Sequence, residues 1–153
     1  MISLTIEYAL RAMVCLSSTQ PEESMNSERI AERTKVPKGY LSKIMRDLVV
    51  AKLVDSQRGP NGGFILARAA TTISILDIVK AVDPINRIRE CPLGNPAHTK
   101  LCPLHRRLDD SLANIERDFK ETLLSDVLES TLDSANRCKS HVATRPGPTM
   151  RKA

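Results

Sequence analysis

The chain has 153 residues, 41% hydrophobic and 27% charged, the ordinary balance of a soluble globular protein with one domain, or one domain and an extension. Aromatic residues make up only 3%, too few for the stacking platforms that hold single-stranded nucleic acid. The net charge is +5, and positions 1–82 hold 11 basic and 8 acidic residues, a balance that fits a nucleic-acid partner there.

The sequence carries no signal for export or for a membrane. Glu7 and Arg11 interrupt the one apolar run near the N-terminus, and no segment approaches the roughly 18 apolar residues of a membrane span. We therefore expect a cytoplasmic protein without a membrane partner. In that reducing compartment the four cysteines are expected to be free, catalytic or metal-binding rather than disulfide-bonded.

Three helices are predicted in the first third of the chain, and the first covers residues 5–18, where apolar side chains recur at helical spacing. Ser27 is the predicted N-cap of a second helix that runs to about Thr34. Pro37 is expected at the first position of a third helix that ends near residue 51. This third helix has an apolar stripe of Tyr40, Leu41, Ile44, Met45, Leu48 and Val49, and a polar face of Lys38, Ser42, Lys43 and Arg46.

A glycine-rich β-hairpin is predicted after the third helix. Two short runs between Val54 and Leu66 flank the residues Arg-Gly-Pro-Asn-Gly-Gly, which favour a turn because Gly and Asn accept a positive φ and Pro presets φ. The loop carries one charge, Arg58, at its base, and a narrow loop of this kind suits a DNA minor groove. The alternative is a solvated hairpin tip whose arginine has no partner.

Two short helices joined by a brief turn and followed by a hairpin indicate a winged helix-turn-helix domain, expected in residues 1–83. The third helix has the width and charge to enter a major groove. Winged helices also serve as protein-interaction modules, but the basic helix face and the arginine-bearing wing together favour DNA. The predicted fold is mainly α with a small β-hairpin wing, followed by a long helix.

A fourth helix is predicted within residues 71–82, with Ser74 as N-cap and Asp77 completing a variant of the capping box. Residues 84–103 have no periodicity and are predicted to form a loop, and a loop of this length is often functional. The sequence shows no nucleophile–base pair on a common element, no glycine-rich loop that opens a helix and no paired-carboxylate site, so an enzyme is not expected.

The C-terminal part is predicted to contain a long amphipathic helix from Leu104 to about Glu121. Its apolar stripe is narrow, as at a helix–helix seam, and consists of Leu104, Leu108, Leu112, Ile115 and Phe119. A second apolar group lies in residues 122–132, so the helices within residues 104–133 either fold back on the chain or cross a second subunit. Residues 134–153 are basic and polar, and we interpret them as a disordered tail.

Two cysteines and two histidines, Cys91, His98, Cys102 and His105, lie within fifteen residues. Thiolate and imidazole groups suit zinc or an iron–sulfur cluster, although the spacing is less regular than that of paired C-x-x-C motifs. The alternative is an ordinary loop with two reduced cysteines and solvated histidines. Cys15 is expected to be a buried small hydrophobic residue, and Cys138 an exposed thiol in the tail.

Several motifs along residues 1–130 resemble the Rrf family of bacterial winged-helix regulators. They occupy positions 7–12, 30–33, 40–41, 53–54, 58–64, 77–83 and 102–104, and the wing motif Arg58-Gly59-Pro60-Asn61-Gly62-Gly63-Phe64 is the most specific. The resemblance implies a homodimer joined through residues 104–133 and a two-fold-symmetric double-stranded DNA operator. It also implies that the third helix enters the major groove and the wing the minor groove. The candidate DNA-contacting residues are Lys38, Tyr40, Ser42, Lys43, Arg46, Arg58 and Asn61.

The resemblance also implies a cluster site. Cluster-binding members use three loop cysteines and an acidic or histidine ligand; Cys91 matches the first cysteine and Cys102 the last, while Ala97 and His98 stand where the middle one is expected. His105 matches a histidine ligand of one branch, and Glu7 matches a helix-one carboxylate that reaches across from the partner subunit in others. A [2Fe–2S] cluster would thus be held by Cys91 and Cys102 and completed by His105, His98 or Glu7.

The resulting expectation is a dimeric, sequence-specific transcription regulator that senses redox state, nitric oxide or iron through the Cys/His loop. A cluster that orders this loop would reposition the dimer helix and change the spacing of the two reading heads. The alternatives are a metal-free or zinc-binding winged-helix regulator that responds to another signal, and a winged-helix protein-interaction module.

Overall fold

The computed structural model describes residues 2–19, 23–59, 62–91 and 101–129. Five helices and one hairpin are defined within these ranges: α1 (Leu4–Ser17), α2 (Ser27–Thr34), α3 (Lys38–Val50), β1 (Val54–Gln57), β2 (Gly63–Leu66), α4 (Ile75–Val82) and α5 (Pro103–Glu121). A single 3₁₀ turn (Ala70–Thr72) precedes α4, and residues 124–129 are helical. The predicted class, mainly α with a small hairpin wing, is therefore confirmed. In the described part of the chain, no helix has the length and apolarity to cross a membrane.

The core lies between the helices α1 to α4 and the start of the hairpin. Its fully buried large side chains are aliphatic or methionine: Met13, Met25, Ile30, Leu41, Ile44, Met45, Leu48, Leu53, Val54, Ile73, Ile78 and Leu124. This composition follows from the scarcity of aromatic residues, since Tyr8, Phe64 and Phe119 only pack against the core from its edge. Burial of the inward stripe fixes the rotation of α3 about its own axis, so that its polar face points away from the core.

Two predicted helix starts are wrong by one residue. The side chain of Asn26, not Ser27, caps α2 and accepts a hydrogen bond from the backbone N–H of Arg29 at 2.9 Å. Pro37 is the N-cap of α3 rather than its first residue. At α2, Asn26 and Ser27 are both suited to the cap, and sequence preference does not separate them. At α3 no side chain makes a capping hydrogen bond that would mark the first residue. The stripe prediction fails at Tyr40, which is 57% exposed.

The capping box at α4 is confirmed. The Ser74 hydroxyl accepts from the backbone N–H of Asp77, and the Asp77 carboxylate accepts from the backbone N–H of Ser74, both at 3.1 Å. Arg68, just after the wing, also donates to this carboxylate at 3.1 Å. The start of α4 is therefore fixed both by its own cap and by a contact with the base of the wing.

The wing is an antiparallel pair of strands in which Val54 faces Leu66 and Gln57 faces Gly63. Phe64 forms a further isolated bridge with Met25, with N–H···O distances of 3.0 and 2.9 Å. Gly63 permits this contact, because a Cβ atom there would lie 2.6 Å from the carbonyl group of Met25. The wing is thus hydrogen-bonded to the segment that enters α2.

The chain folds back on its own domain after α5. Leu123 forms a bridge with Ser74, the backbone N–H of Leu124 donates to Ile73 at 2.9 Å, and Leu124 is completely buried. Of the two alternatives predicted for this segment, residues 122–124 therefore follow the one in which the chain folds back on itself. By contrast, α5 contains no fully buried residue. The predicted tail at residues 134–153, with Cys138, lies outside the described residues, as does His98 in the Cys/His loop.

Substitution of Gly63 tests the junction between the wing and α2. Gly63→Ala should lower the free energy of unfolding by about 1–3 kcal/mol, because the new methyl group meets backbone that cannot rotate away. Gly39→Ala in α3 is the matched control, since a Cβ atom there has no neighbour within 4 Å. This substitution should raise the free energy of unfolding by up to about 1 kcal/mol, because alanine favours the helix more than glycine does. Urea denaturation measures both values, and equal effects of the two substitutions would contradict the close contact.

Candidate functional site

The polar face of α3 is fully at the surface. Lys38, Ser42, Lys43 and Arg46 are all exposed, whereas Leu41, Ile44, Met45 and Leu48 on the other side are buried. The sequence prediction of a two-faced helix therefore holds for these positions. An exposed, basic helix face of this kind has the dimensions to lie in the major groove of B-form DNA, which is about 12 Å wide.

Two of the four polar residues on α3 already have partners within the chain. The Lys38 ammonium group donates to the Glu28 carboxylate at 2.7 Å, which raises the pKa of Lys38 and lowers that of Glu28. Both side chains remain about 70% exposed, so the ion pair is weak and can exchange with solvent or another anion. The Ser42 hydroxyl donates to the carbonyl of Lys38 at 3.0 Å, one helical turn back.

Tyr40 is an exposed residue of α3 whose side chain contacts α1. Its ring stands edge-on to that of Tyr8, with centroids 6.0 Å apart and an interplanar angle of 66°. This is a favourable arrangement for two aromatic rings. The pair joins α1 to the start of α3 at the surface.

An exposed arginine follows the first strand of the wing. Arg58 follows β1 and is exposed, and Gly59 has a φ of 114°, which residues with a side chain rarely adopt. The N–H of Gly62 donates to the carbonyl of Gly59 at 2.8 Å and closes the turn. Asn61, also predicted to contact DNA, lies outside the described residues.

The start of α5 brings Cys91, Cys102 and His105 together. The Nδ1 atom of His105 lies 3.3 Å from the Sγ atom of Cys102 and 3.9 Å from that of Cys91. Cys102 is the N-cap of α5, with Pro103 at its first position, so the helix start sets the places of Cys102 and His105. All three residues are half-buried.

These donors match a metal centre in type but not in number. Thiolate and imidazole are ligands of zinc and of iron–sulfur clusters, and such sites need four donors. In the described ranges of the chain, no set of three or more His, Cys, Asp or Glu side chains is arranged to hold a metal ion. Glu7 pairs with Arg11 on α1 and is about half exposed. A complete site would require at least one donor from elsewhere.

A partly buried ion-pair network joins the segment before Cys91 to α5. The Nε and Nη2 atoms of Arg87 donate to the two carboxylate oxygens of Asp109 at 2.7 and 2.6 Å, and Nη1 donates to Glu116 at 3.1 Å. The backbone N–H of Ile88 also donates to Asp109, at 2.9 Å. The hydrogen bond from Arg87 lowers the pKa of Asp109 and raises that of Arg87. These residues were not predicted from the sequence.

Cys15 does not belong to the thiol centre. It is 8% exposed in the core, its Sγ atom lies 3.7 Å from the Sδ atom of Met25, and burial raises the pKa of its thiol. The prediction of a buried small hydrophobic residue is confirmed.

Comparison with known proteins identifies the family. The sequence profile of the Rrf2 family, described as iron-dependent transcriptional regulator, matches residues 2–130. The chain belongs to the Rrf2 family. A Mycobacterium tuberculosis H37Rv protein named as an HTH-type transcriptional regulator, Rv1287, is 33% identical over 136 residues, 86% of this chain and 83% of that protein. An Aquifex aeolicus protein of the same description is 29% identical over 133 residues, 81% of this chain and 88% of that protein.

Solved structures of Rrf2 proteins share the fold. IscR of T. potens superposes with a TM-score of 0.73 at 23% identity, covering 96% of this chain and 93% of that chain. CymR of B. subtilis, named a global cysteine regulator, superposes with a TM-score of 0.71 at 24% identity, covering 85% and 97%. These relatives are transcriptional regulators and not enzymes, so the predictions of a DNA-binding winged-helix regulator and of no enzymatic activity are confirmed.

Proposed function

We propose that this Rrf2 regulator binds a two-fold-symmetric operator as a dimer, with α3 in the major groove and the wing in the adjacent minor groove. The observation that carries the proposal is the exposed basic face of α3 beside an exposed arginine at the base of the wing. Lys38 and Arg46 would contact phosphates, while Ser42 and Lys43 would reach base edges. Tyr40, Arg58 and Asn61 complete the proposed contact set.

Support for the dimer comes from the apolar stripe of α5. Leu108 is 47% exposed and Ile115 39%, although both lie on a helix with a strongly apolar side. A groove of about 350 Å³ runs beside this stripe, lined mainly by Ile2, Ile6, Ile85, Leu112, Ile115 and Phe119. An amphipathic helix whose apolar residues are all at least partly exposed gains stability by packing against a second copy.

We propose that Cys91, Cys102 and His105 form the signal-sensing centre and hold an iron–sulfur cluster of the [2Fe–2S] type. The support is the approach of both sulfur atoms to one imidazole nitrogen, together with the description of the family as iron-dependent. The further donor would be His98 or the Glu7 carboxylate of a second copy. A bound cluster would supply an iron- or redox-sensitive centre, with a potential raised by a histidine ligand.

The chain's own residues would carry the state of this centre towards DNA. Cys102 occupies the N-cap position of α5, so a displacement of this residue would move the start of the helix proposed to form the dimer. The far end of α5 is joined to the winged-helix core through Leu124. A shift of α5 against its partner would therefore change the spacing of the two α3 helices.

A second candidate function is a regulator that binds zinc or no metal and responds to another signal. This candidate is favoured by the small number of metal ligands, because the described residues of one chain contain no group of three or more His, Cys, Asp or Glu side chains that could hold a metal ion. The two candidates share the DNA interface and differ only in the centre at the start of α5.

The DNA interface is tested on duplexes selected by the wild-type protein from a random library. Arg58→Ala should weaken binding by about 1–3 kcal/mol if the wing reads sequence. Lys38→Ala should weaken binding to every duplex alike and reduce the slope of log affinity against log salt by about one unit. Lys80→Ala on α4, which removes an exposed charge that is outside the proposed contact set, is the control. Fluorescence anisotropy measures all affinities. Equal losses of affinity in the three variants would contradict the proposed DNA contacts of Arg58 and Lys38.

The proposed seam on α5 is tested by charge insertion. Leu112→Asp should convert the dimer to monomer, because an unpaired carboxylate in an apolar interface costs several kcal/mol. Ser111→Asp, at the neighbouring exposed position, should leave the dimer intact. Sedimentation velocity distinguishes the two states, and a Leu112→Asp protein that remains dimeric would place the interface elsewhere.

The cluster is tested by anaerobic reconstitution with iron and sulfide, followed by visible absorption and iron counting. Wild type should take up iron, and Cys102→Ala and His105→Ala should lose most of it. Glu7→Ala should lose iron only if this carboxylate is the further donor. Cys138→Ala is the matched cysteine control and should behave as wild type. A wild-type protein that takes up no iron would refute the cluster, and uptake of zinc instead would support the second candidate.

A further inference from the structure

We propose that Arg87 is a positioning residue that holds Cys91 against Cys102 and His105 and attaches this centre to α5. The inference rests on the proposed function, because it takes the Cys–His group to be the sensing centre. It assigns a role to a residue that lies four positions before Cys91 and makes no contact with the thiols itself.

All three nitrogen atoms of the Arg87 guanidinium group donate hydrogen bonds to carboxylates of α5. Two of its nitrogen atoms donate to opposite oxygens of Asp109, and the third donates to Glu116. The side chains are 33%, 17% and 25% exposed, respectively, so the network is sheltered from water. Paired parallel hydrogen bonds between a guanidinium and a carboxylate fix orientation as well as distance, which a lysine cannot do.

Asp109 also holds the backbone next to Arg87. One of its oxygens accepts from the N–H of Ile88 at 2.9 Å, so one carboxylate binds the main chain and the side chain of the same segment. The segment that leads to Cys91 is thereby attached to α5 at two consecutive residues. Arg89, the next basic residue, is exposed, and its charge also lowers the pKa of Asp109, but within the described residues its side chain is not hydrogen-bonded to this carboxylate.

The spacing along α5 explains why this attachment places Cys91. His105 and Asp109 are four residues apart on one helix, so they lie on the same face and about 6 Å apart along its axis. The four residues from Arg87 to Cys91 can span up to about 14 Å. A segment held at Asp109 is therefore long enough to reach His105 and keeps Cys91 within about 14 Å of its attachment, which agrees with the 3.9 Å between Cys91 and His105.

Asp109 and Glu116 depend on the arginine for compensation of their negative charge. Asp109 and Glu116 bring two carboxylates to one guanidinium, and both are at least three-quarters buried. Removal of Arg87 would leave two carboxylates side by side without their shared ion-pair partner, and only the Ile88 N–H would still attach the segment before Cys91 to Asp109. Replacement by lysine would keep the charge but lose the fixed orientation, so it separates positioning from simple charge compensation.

The test measures how fast Cys91 and Cys102 form a disulfide in reduced, metal-free full-length protein. The azo oxidant diamide takes up the two electrons and two protons that the thiols release, and peptide mapping identifies the bond. All proteins carry Cys138→Ser, and Cys15 is buried and unreactive. Arg87→Lys and Asp109→Asn should each slow the reaction about tenfold, and the double variant should be no slower than either single one. Arg89→Lys is the matched control and should react like the parent.

A second readout separates positioning from a general loss of structure. Alkylation of Cys91 by iodoacetamide depends on its exposure and not on Cys102, so it should stay the same or become faster in Arg87→Lys. All rates are measured below the melting temperature of each variant. Equal disulfide rates in Arg87→Lys and Arg89→Lys would overturn the proposal. Because no step of this test needs iron, its outcome is independent of whether the cluster forms.

Discussion

Leu124 is completely buried in the winged-helix core, although it follows a helix, α5, that has no fully buried residue of its own. Backbone hydrogen bonds at 2.9 Å on either side of the Ser74–Leu123 bridge hold it there. The segment that follows α5 is thus part of the winged-helix core, while Leu104, Leu108 and Ile115 of the apolar stripe of α5 remain exposed. Through this contact α5 is connected directly to the winged-helix core, without an intervening linker.

The other end of α5 is held by different chemistry. Apolar burial anchors its C-terminal end, whereas charged hydrogen bonds from Arg87 to Asp109 anchor the loop near its N-terminal end. Apolar contacts tolerate small sliding movements, but a bidentate guanidinium–carboxylate pair keeps one geometry. A displacement that begins at Cys102 or His105 would therefore be passed along α5 as a rigid body, with the Leu124 end as the pivot.

Much of the fold was predictable because its signals are local. Apolar periodicity located the helices, and the Ser74–Asp77 capping box was predicted to the residue. Tyr40 was misplaced because its spacing fits the stripe, while its ring packs on Tyr8 of α1, which lies 32 positions earlier in the sequence. The Arg87 network could not be predicted, since its partners lie 22 and 29 residues further on and the segment around Arg87 has no periodicity.

The tyrosine pair also gives the protein an intrinsic fluorescence signal. The sequence contains two tyrosines and no tryptophan, so Tyr8 and Tyr40 supply its ultraviolet emission above the weak signal of phenylalanine. Their rings are 6.0 Å apart at the junction of α1 and α3, beside the basic face. Any duplex that seats on α3 changes the surroundings of Tyr40, and through ring contact those of Tyr8. Unlabelled protein can therefore report its own occupancy by fluorescence, with no background from the rest of the chain.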